Sequence, residues 1–356
     1  MIRIAGLVLV NSAVVVILLF IIEGFSSYIF VAYRILTSEP VPERVHTEYD
    51  EELGWINLPN VSVKDMYGRG VYLTTNSQRY RNSHDLSPRV PDGKVRIVCS
   101  GDSFTLGYGV DDDHTWCQLL TLMDEHLETV NLGQGGYGID QAYLWYKRNE
   151  PKLEHNIQIF AFITDDFLRT GRDSYFGYGK PYLRIRANEL YQDNRPVPKR
   201  SYYAPWFTGA VRELKRLNTV QLFGKLADRL VLLNDDSTKN SVAHTEEVIS
   251  KIFAELQKMN RTKKRLFVLV YLPERIDYME NSDTKHWREY VRAKAKTNNY
   301  FFVDVVEELR SLSSENADEL FNKIDGHFNV RGNRYVAEFL YKKLSEMPEM
   351  RDNPKR

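Results

Sequence analysis

The sequence predicts an α/β domain with a parallel sheet, because short buried strands alternate with helical segments along most of the chain. The strands are predicted from runs rich in β-branched and aromatic residues, and the helices from apolar residues at helical spacing. The first predicted strand begins at Val95, and the other four cover residues 129–132, 157–163, 265–272 and 300–305. The main predicted helices cover residues 115–127, 207–233, 242–259, 285–295 and 331–344, and another contains Ala142, Leu144, Trp145 and Tyr146.

The first of these strands ends in the tripeptide Gly101-Asp102-Ser103. In open α/β sheets, ligands bind at the carboxyl edge of the strands, so a serine at this place has its hydroxyl at the mouth of a cleft. The tripeptide alone is common, and an ordinary strand-to-helix turn in which Ser103 caps the helix explains it equally well.

Two further segments favour a catalytic interpretation of Ser103. A glycine-rich turn containing Gly136 follows the second strand, and Asp325 and His327 lie in the loop before the last helix. Imidazole has a suitable pKa for taking a serine proton, and a nearby carboxylate fixes its tautomer and stabilises the imidazolium. The three segments therefore predict a Ser-His-Asp site at one edge of the sheet.

The same segments, in this order and spacing, resemble those of the SGNH/GDSL hydrolase family over residues 95–344. Residues 54–81 are similar to the leader of membrane-anchored bacterial members, and Gly54 and Trp55 within them are predicted to form a turn that joins short strands. The matching blocks are Gly101-Asp102-Ser103, Asn131-Leu132-Gly133-Gln134-Gly135-Gly136, and Asp325-Gly326-His327 followed by Asn329, Gly332 and Ala337.

The resemblance implies a three-layer α/β/α flavodoxin-like fold in which Ser103 is the nucleophile, His327 the base and Asp325 its orienting acid. It also implies that the backbone N–H groups of Ser103 and Gly136 form part of the oxyanion hole. The family places an asparagine after the third strand as a further donor, but here Asp165 occupies that position. An ionised carboxylate would repel a developing oxyanion. Three alternatives are open: Asp165 is protonated in a buried site, Thr164 substitutes for it, or catalysis is weak or lost.

The amino-terminal segment predicts a membrane anchor, since residues 4–22 are almost wholly apolar and long enough to span a bilayer. A cleaved signal peptide is the competing interpretation, but the segment is long and lacks a clear cleavage site. The predicted organisation is an anchor over residues 1–34, a juxtamembrane linker and extension over 35–94, the hydrolase domain over 95–346 and a tail over 347–356. Within the domain, the aromatic-rich segment 169–206 is predicted to be an insertion, either a lid or an irregular surface excursion. Residues 182–185 and 190–191 in this segment are predicted to pair as a hairpin around Ala187 and Asn188.

Composition excludes some classes of function. The chain has 48 basic and 48 acidic residues, so a nucleic-acid binder that works through a strong basic field is excluded. No zinc spacing or dinucleotide fingerprint is present, and neither a metal nor a cofactor is predicted. The two cysteines, Cys99 and Cys117, are predicted to be buried thiols. Three histidines are predicted to be solvated, namely His114, His155 and His286.

Together these features predict a serine esterase or O-acyltransferase that acts on an acylated glycan, with the catalytic domain extracytoplasmic. A transferase would need an acyl donor, such as a separate membrane protein. The alternative from another class is a protein that keeps the fold, has lost catalysis through Asp165 and serves in glycan binding or assembly. A lipid-directed esterase is a third hypothesis, which the anchor alone suggests.

Overall fold

The computed structural model describes residues 2–36, 43–175, 178–198, 235–278, 284–323 and 325–347. The predicted helix 207–233 and most of the predicted tail lie outside these residues, as does part of the predicted insertion. The chain divides into two compact units, one formed by Met1–Val41 and Arg200–Thr238, the other by Pro42–Lys199 and Lys239–Arg356. The second unit contains the sheet and all the predicted site residues.

The helices and strands are numbered in chain order. The helices are α1 (Ile2–Leu36), α2 (Glu43–His46), α3 (Ser103–Leu106), α4 (Trp116–Met123), α5 (Ile139–Asn149), α6 (Thr164–Thr170), α7 (Asp235–Thr262), α8 (Lys285–Asn298), α9 (Val305–Arg310), α10 (Ser314–Asp318) and α11 (Val330–Ser345). The strands are β1 (Thr47–Asp50), β2 (Gly54–Asn57), β3 (Ser62–Val63), β4 (Leu73–Thr74), β5 (Val95–Ser100), β6 (Leu127–Asn131), β7 (Ile157–Phe162), β8 (Ser174–Tyr175), β9 (Tyr178–Gly179), β10 (Leu183–Arg186), β11 (Glu189–Gln192), β12 (Leu266–Tyr271) and β13 (Phe301–Asp304).

The central sheet has five strands in the order β13-β12-β7-β5-β6, and all its pairings are parallel. Counted along the chain from the β6 edge, this order is 2-1-3-4-5, the flavodoxin-like order. The predicted α/β class and parallel sheet are therefore confirmed. The chain reverses direction across the sheet between β5 and β7, and ligands bind at such a switch point, outside the carboxyl ends of the strands.

The sheet lies between two apolar cores, because successive side chains of a strand point to opposite faces. In β5, Val98 belongs to one core, while Ile97 and Cys99 belong to the other. Helices α5, α7 and α8 contribute to the first core, and α4 and α11 contribute to the second. All residues of β5 and β7 are buried, as expected for parallel strands covered by helices on both faces. The result is the three-layer arrangement.

Residues 43–94, predicted as part of a linker and extension, lie in the same compact unit as the sheet. The prediction that Gly54 and Trp55 form a turn is wrong, because they begin the buried strand β2. The Trp55 Nε1–H donates to the carbonyl of Gly135 at 2.8 Å, and the hydroxyl of Tyr137 donates to the carbonyl of Trp55 at 2.5 Å. Strand β2 therefore supports the glycine-rich turn after β6, which the sequence alone did not show.

The amino-terminal segment forms the 35-residue helix α1. Among the residues that the structure describes, no helix meets both the length and the apolarity of a membrane span. The membrane anchor over residues 1–34 stays a prediction.

Two local predictions had different outcomes. Strands β10 and β11 form the hairpin predicted within the insertion, and Ala187 and Asn188 at its tip have φ values of 49° and 64°. Positive φ at both turn residues is the geometry that a two-residue hairpin favours.

The prediction that His155 is solvated is wrong: its imidazole is buried, 2.9 Å from the Tyr146 hydroxyl and 2.9 Å from the Leu153 carbonyl. Both cysteines are buried free thiols, as predicted.

Candidate active site

Ser103 is the first residue of α3, directly after the turn that ends β5. The helix is capped by Asp102 and not by Ser103, since the Asp102 carboxylate accepts from the Phe104 N–H at 2.9 Å. A Cβ atom at Gly101 would lie 2.2 Å from Thr105 Oγ1 and 2.6 Å from the Ala161 carbonyl oxygen. A side chain at position 101 would clash with these atoms, so the turn requires glycine. Because Asp102 caps the helix, the Ser103 hydroxyl is available for a role other than capping.

The structure brings His327 to Ser103 across 224 positions of sequence. The His327 Nε2 lies 2.8 Å from Ser103 Oγ, which is hydrogen-bond distance. His327 lies in the loop before α11, a helix whose start is fixed by the Asn329 side chain, which accepts from the Gly332 N–H at 3.0 Å. Because Nε2 faces a hydroxyl donor, a proton on Nδ1 leaves Nε2 free to act as a base.

Asp325 lies on the Nδ1 side of the same imidazole. Its Oδ1 is 3.5 Å from His327 Nδ1 and accepts from the His327 backbone N–H at 3.0 Å. Burial works to raise the pKa of Asp325, but the hydrogen bonds and charge of His327 outweigh it and hold the pKa below its usual value. Catalytic hydrogen bonds are often long in unliganded sites and shorten when substrate binds. The carboxylate is therefore ionised and placed to orient the imidazole.

The imidazole also lies between two aromatic rings that the sequence analysis did not identify. The Phe104 ring centroid is 4.7 Å from that of His327, and the Tyr108 ring is stacked on the imidazole with centroids 4.9 Å apart. These contacts restrict the rotation of the ring. The Gly107-Tyr108-Gly109 loop after α3 was visible in the sequence, but nothing in its pattern indicated a partner more than 200 positions away.

The glycine-rich turn after β6 lies beside the serine turn. The Gln134 N–H donates to the Gly101 carbonyl at 3.2 Å, and the Leu132 N–H donates to the Cys99 carbonyl at 2.8 Å. Gly136 has a φ of +71°, and a Cβ atom there would lie 3.2 Å from the Tyr175 ring. The turn thus carries Gly136 at the same sheet edge as Ser103. The oxyanion roles of the Ser103 and Gly136 N–H groups stay predictions.

Asp165 lies in the first turn of α6, at the carboxyl edge of β7. The Asp165 side chain is 50% exposed. The structure therefore does not provide the buried site that a protonated, donating Asp165 would require. The Thr164 hydroxyl is 2.8 Å from the hydroxyl of Tyr271 and is therefore engaged within the protein. Neither residue is placed as a simple replacement for the asparagine amide.

Arg169 is a site residue that the sequence analysis missed. Its buried guanidinium donates to Asp102 at 3.2 Å and to Asp166 at 2.9 Å, and it lies 3.5 Å from the Asp165 carboxylate. Asp165 and Asp166 precede Arg169 by four and three positions. Residues at these spacings are neighbours on a helix, so the formation of α6 alone brings the three side chains together. The contact with Asp102 depends on tertiary structure.

Among the described residues, no group of three or more His, Cys, Asp or Glu side chains could hold a metal ion.

No protein-family model matches the chain, and no curated protein matches it. The chain is similar to a solved lipolytic G-D-S-L family protein from Veillonella parvula, with 14% identity and a TM-score of 0.42, over 71% of this chain and 100% of that one. It is also similar to a putative G-D-S-L lipolytic protein from Desulfitobacterium hafniense, with 15% identity and a TM-score of 0.42, over 70% and 99% of the two chains. A lipase/acylhydrolase from Enterococcus faecalis has 13% identity and a TM-score of 0.40, over 74% and 99%. Identities this low do not indicate an activity, which is inferred below from the geometry of the site.

Proposed function

We propose that the protein is a serine ester hydrolase that acts through an acyl-enzyme on Ser103. The observation that carries this proposal is the 2.8 Å contact between Ser103 Oγ and His327 Nε2 at the carboxyl edge of the sheet. A serine hydroxyl becomes an effective nucleophile at neutral pH when an adjacent base takes its proton. The ionised Asp325 beside the imidazole supplies the third group of the arrangement.

In the first half of the reaction, Ser103 Oγ forms a bond to the ester carbonyl carbon and passes its proton to His327 Nε2. The carbonyl oxygen becomes an oxyanion, for which the N–H groups of Ser103 and Gly136 are the proposed donors. Collapse of this intermediate breaks the bond to the alcohol, and the alkoxide oxygen takes the proton from His327. In the second half, water gives a proton to His327 and attacks the acyl carbon, and the proton returns to Ser103 as the acid leaves.

The proposed substrate is an acylated glycan, with acetyl as the acyl group. A cavity of about 660 Å³ has Arg172, Asp173, Tyr182 and Arg184 among its lining residues, whereas Ser103 and His327 do not line it. The Arg184 guanidinium lies 5.3 Å from the centroid of the Tyr182 ring. A polar lining with an aromatic ring suits a sugar better than an acyl chain. A sugar hydroxyl in place of water would make the protein an O-acetyltransferase, which would need an acyl-donor partner. An extracytoplasmic location belongs to this proposal too.

The test is hydrolysis of p-nitrophenyl acetate by the full-length chain. Ser103→Ala and His327→Gln are each expected to lower kcat on the order of a thousandfold or more, because each removes a group that makes or breaks a bond. His286→Gln is the matched control, since His286 is a partly exposed histidine paired with Glu246. It is expected to keep the activity of the wild type.

Turnover that survives Ser103→Ala would show that Ser103 is not the nucleophile and would overturn the proposal. Absence of turnover in the wild type, together with absence of labelling of Ser103 by a fluorophosphonate, would favour the non-catalytic glycan-binding alternative. Labelling of Ser103 in one sample, together with transfer of the acetyl group from an ester donor to an added sugar acceptor by the unlabelled protein and no transfer to water, would identify the transferase.

A further inference from the structure

Arg169 connects three parts of the site that come from different places in the sequence. Its Nη1 donates to the Asp102 carboxylate and to the Tyr137 carbonyl, both at 3.2 Å. Asp102 precedes the nucleophile, and Tyr137 follows Gly136. Its Nη2 lies 3.5 Å from the Asp165 carboxylate. One guanidinium is thus shared by the serine turn, the glycine-rich turn and the start of α6.

The charges around this guanidinium are unbalanced. Three carboxylates, those of Asp102, Asp165 and Asp166, lie within ion-pair distance of Arg169. Burial of Asp166, followed by the negative charge of Asp102, raises the pKa of Asp166 well above its usual value. Burial opposes the charge on Arg169, but the surrounding carboxylates outweigh it and raise the pKa of Arg169. Arg169 is therefore charged, and its positive charge is the one that the structure places against these acids.

Asp165 creates an electrostatic problem for ester chemistry. In the proposed function it stands at the position where the resemblance implies an oxyanion donor, and a negative charge close to a developing oxyanion raises the barrier. The repulsion is strong where water is partly excluded, because the effective dielectric constant is lower there. A nearby cation lowers this cost. Arg169 is the partner of Asp165 on α6, and its other contacts hold the guanidinium in place.

We propose that Arg169 is a positioning residue for the ester chemistry of Ser103, whose charge neutralises Asp165 and makes an aspartate tolerable beside the oxyanion. The inference rests on the proposed function and deepens it. The stacking of Tyr175 supports it, since this ring lies 4.9 Å from the Arg169 guanidinium and covers Gly136, the second proposed donor. Arg169 is buried, and it is proposed to act through Asp165 and through the two turns.

The test is a double-mutant cycle with Arg169→Met and Asp165→Asn, measured as kcat and KM for p-nitrophenyl acetate. With Asp165 in place, Arg169→Met is expected to lower kcat about a hundredfold, with little change in KM, an effect comparable to the loss of one oxyanion donor. In the Asp165→Asn background, the same substitution is expected to cost about tenfold or less, because the charge of Asp165 is no longer present to be offset. Arg169→Lys, which keeps a cation, is expected to retain more activity than Arg169→Met.

Arg292→Met is the matched control, because Arg292 is also shared between two carboxylates, Asp304 and Glu307, but on the surface of α8. It is expected to leave kcat unchanged in both backgrounds. Circular dichroism and thermal melting identify any variant that fails to fold.

Asp165→Asn alone provides a second test that does not depend on removing a buried arginine. If Arg169 already neutralises Asp165, this substitution raises kcat less than about tenfold. A gain of a hundredfold or more with Arg169 intact would overturn the inference, as would an equal loss from Arg169→Met in the two backgrounds. The proposed function fails separately, through turnover that does not depend on Ser103.

Discussion

The two sides of the serine differ in how they hold their groups. On the base side, His327 lies in a loop between the rings of Phe104 and Tyr108, with one half-buried carboxylate beside it. On the side of α6, buried charges meet: Arg169 is shared among Asp102, Asp165 and Asp166. The base side is fixed mainly by aromatic packing around the imidazole. The other side is fixed by ion pairs, which tolerate little change in charge.

The difference appears in the direction of the pKa shifts. On the base side, His327 outweighs burial and lowers the pKa of Asp325. On the side of α6, the Glu274 carboxylate accepts from the Asp165 N–H at 3.2 Å. Burial, followed by the negative charges of Asp165 and Asp277, raises the pKa of Glu274 to about 8. The first carboxyl is ionised at neutral pH, whereas the second holds its proton.

Asp325→Asn is expected to have the largest effect of the three changes that sharpen this comparison. It removes the charge that stabilises the imidazolium and favours the wrong tautomer of His327, a change that costs on the order of ten-thousandfold in tightly bonded triads. Because Asp325 is partly exposed and its Oδ1 is 3.5 Å from Nδ1, the expected loss in kcat is smaller, about a hundredfold to a thousandfold. Asp113→Asn, at an exposed aspartate, is the control. A loss below about threefold would show that the carboxylate does not orient the base.

Glu274→Gln is expected to change how stability depends on pH. Between the ordinary pKa near 4.5 and the folded value near 8, the unfolded chain loses the Glu274 proton and the folded protein keeps it. The free energy of unfolding therefore falls as pH rises through this range, by about 4 kcal/mol from this group. Glu274→Gln is expected to remove this contribution to the pH dependence of the free energy of unfolding.

The measurement is urea unfolding of both proteins at pH 5 and pH 8. The stability of the variant relative to the wild type is expected to be higher at pH 8 than at pH 5. Glu289→Gln, at an exposed glutamate on α8, should show no such difference. An identical pH dependence for Glu274→Gln and the wild type would contradict the assignment of a buried, protonated carboxyl to the side of α6.

Tyr108→Leu is expected to have the smallest effect. It removes the ring stacked on His327, and the attraction between an aromatic face and a cation contributes about 0.5–2 kcal/mol. We therefore expect kcat to fall by about threefold to thirtyfold, while Tyr108→Phe, which keeps the ring, stays within about threefold of the wild type. Equal losses in the two variants would indicate that the hydroxyl matters and the stacking does not.

Much of the fold could be predicted because its causes are local. The strands β5 and β7 are runs of branched apolar residues, and parallel strands buried on both faces have this composition. The prediction for His155 failed because the residues directly beside it, Glu154 and Asn156, are polar, whereas in the fold the imidazole is buried against Tyr146 from α5. Desolvation there lowers the pKa of His155 to about 4, a consequence that sequence spacing does not show.

By itself, the sequence determined the alternation of strands and helices, the serine turn after β5 and the presence of Asp325 and His327 in one loop. These follow from periodicity and turn chemistry, which act over a few residues. Only the tertiary structure decided that His327 Nε2 lies 2.8 Å from Ser103 Oγ, that β2 supports the glycine-rich turn, and that Arg169 links Asp102 to Asp165. Those contacts join segments far apart in the chain, and the order of strands in the sheet determines which of them meet.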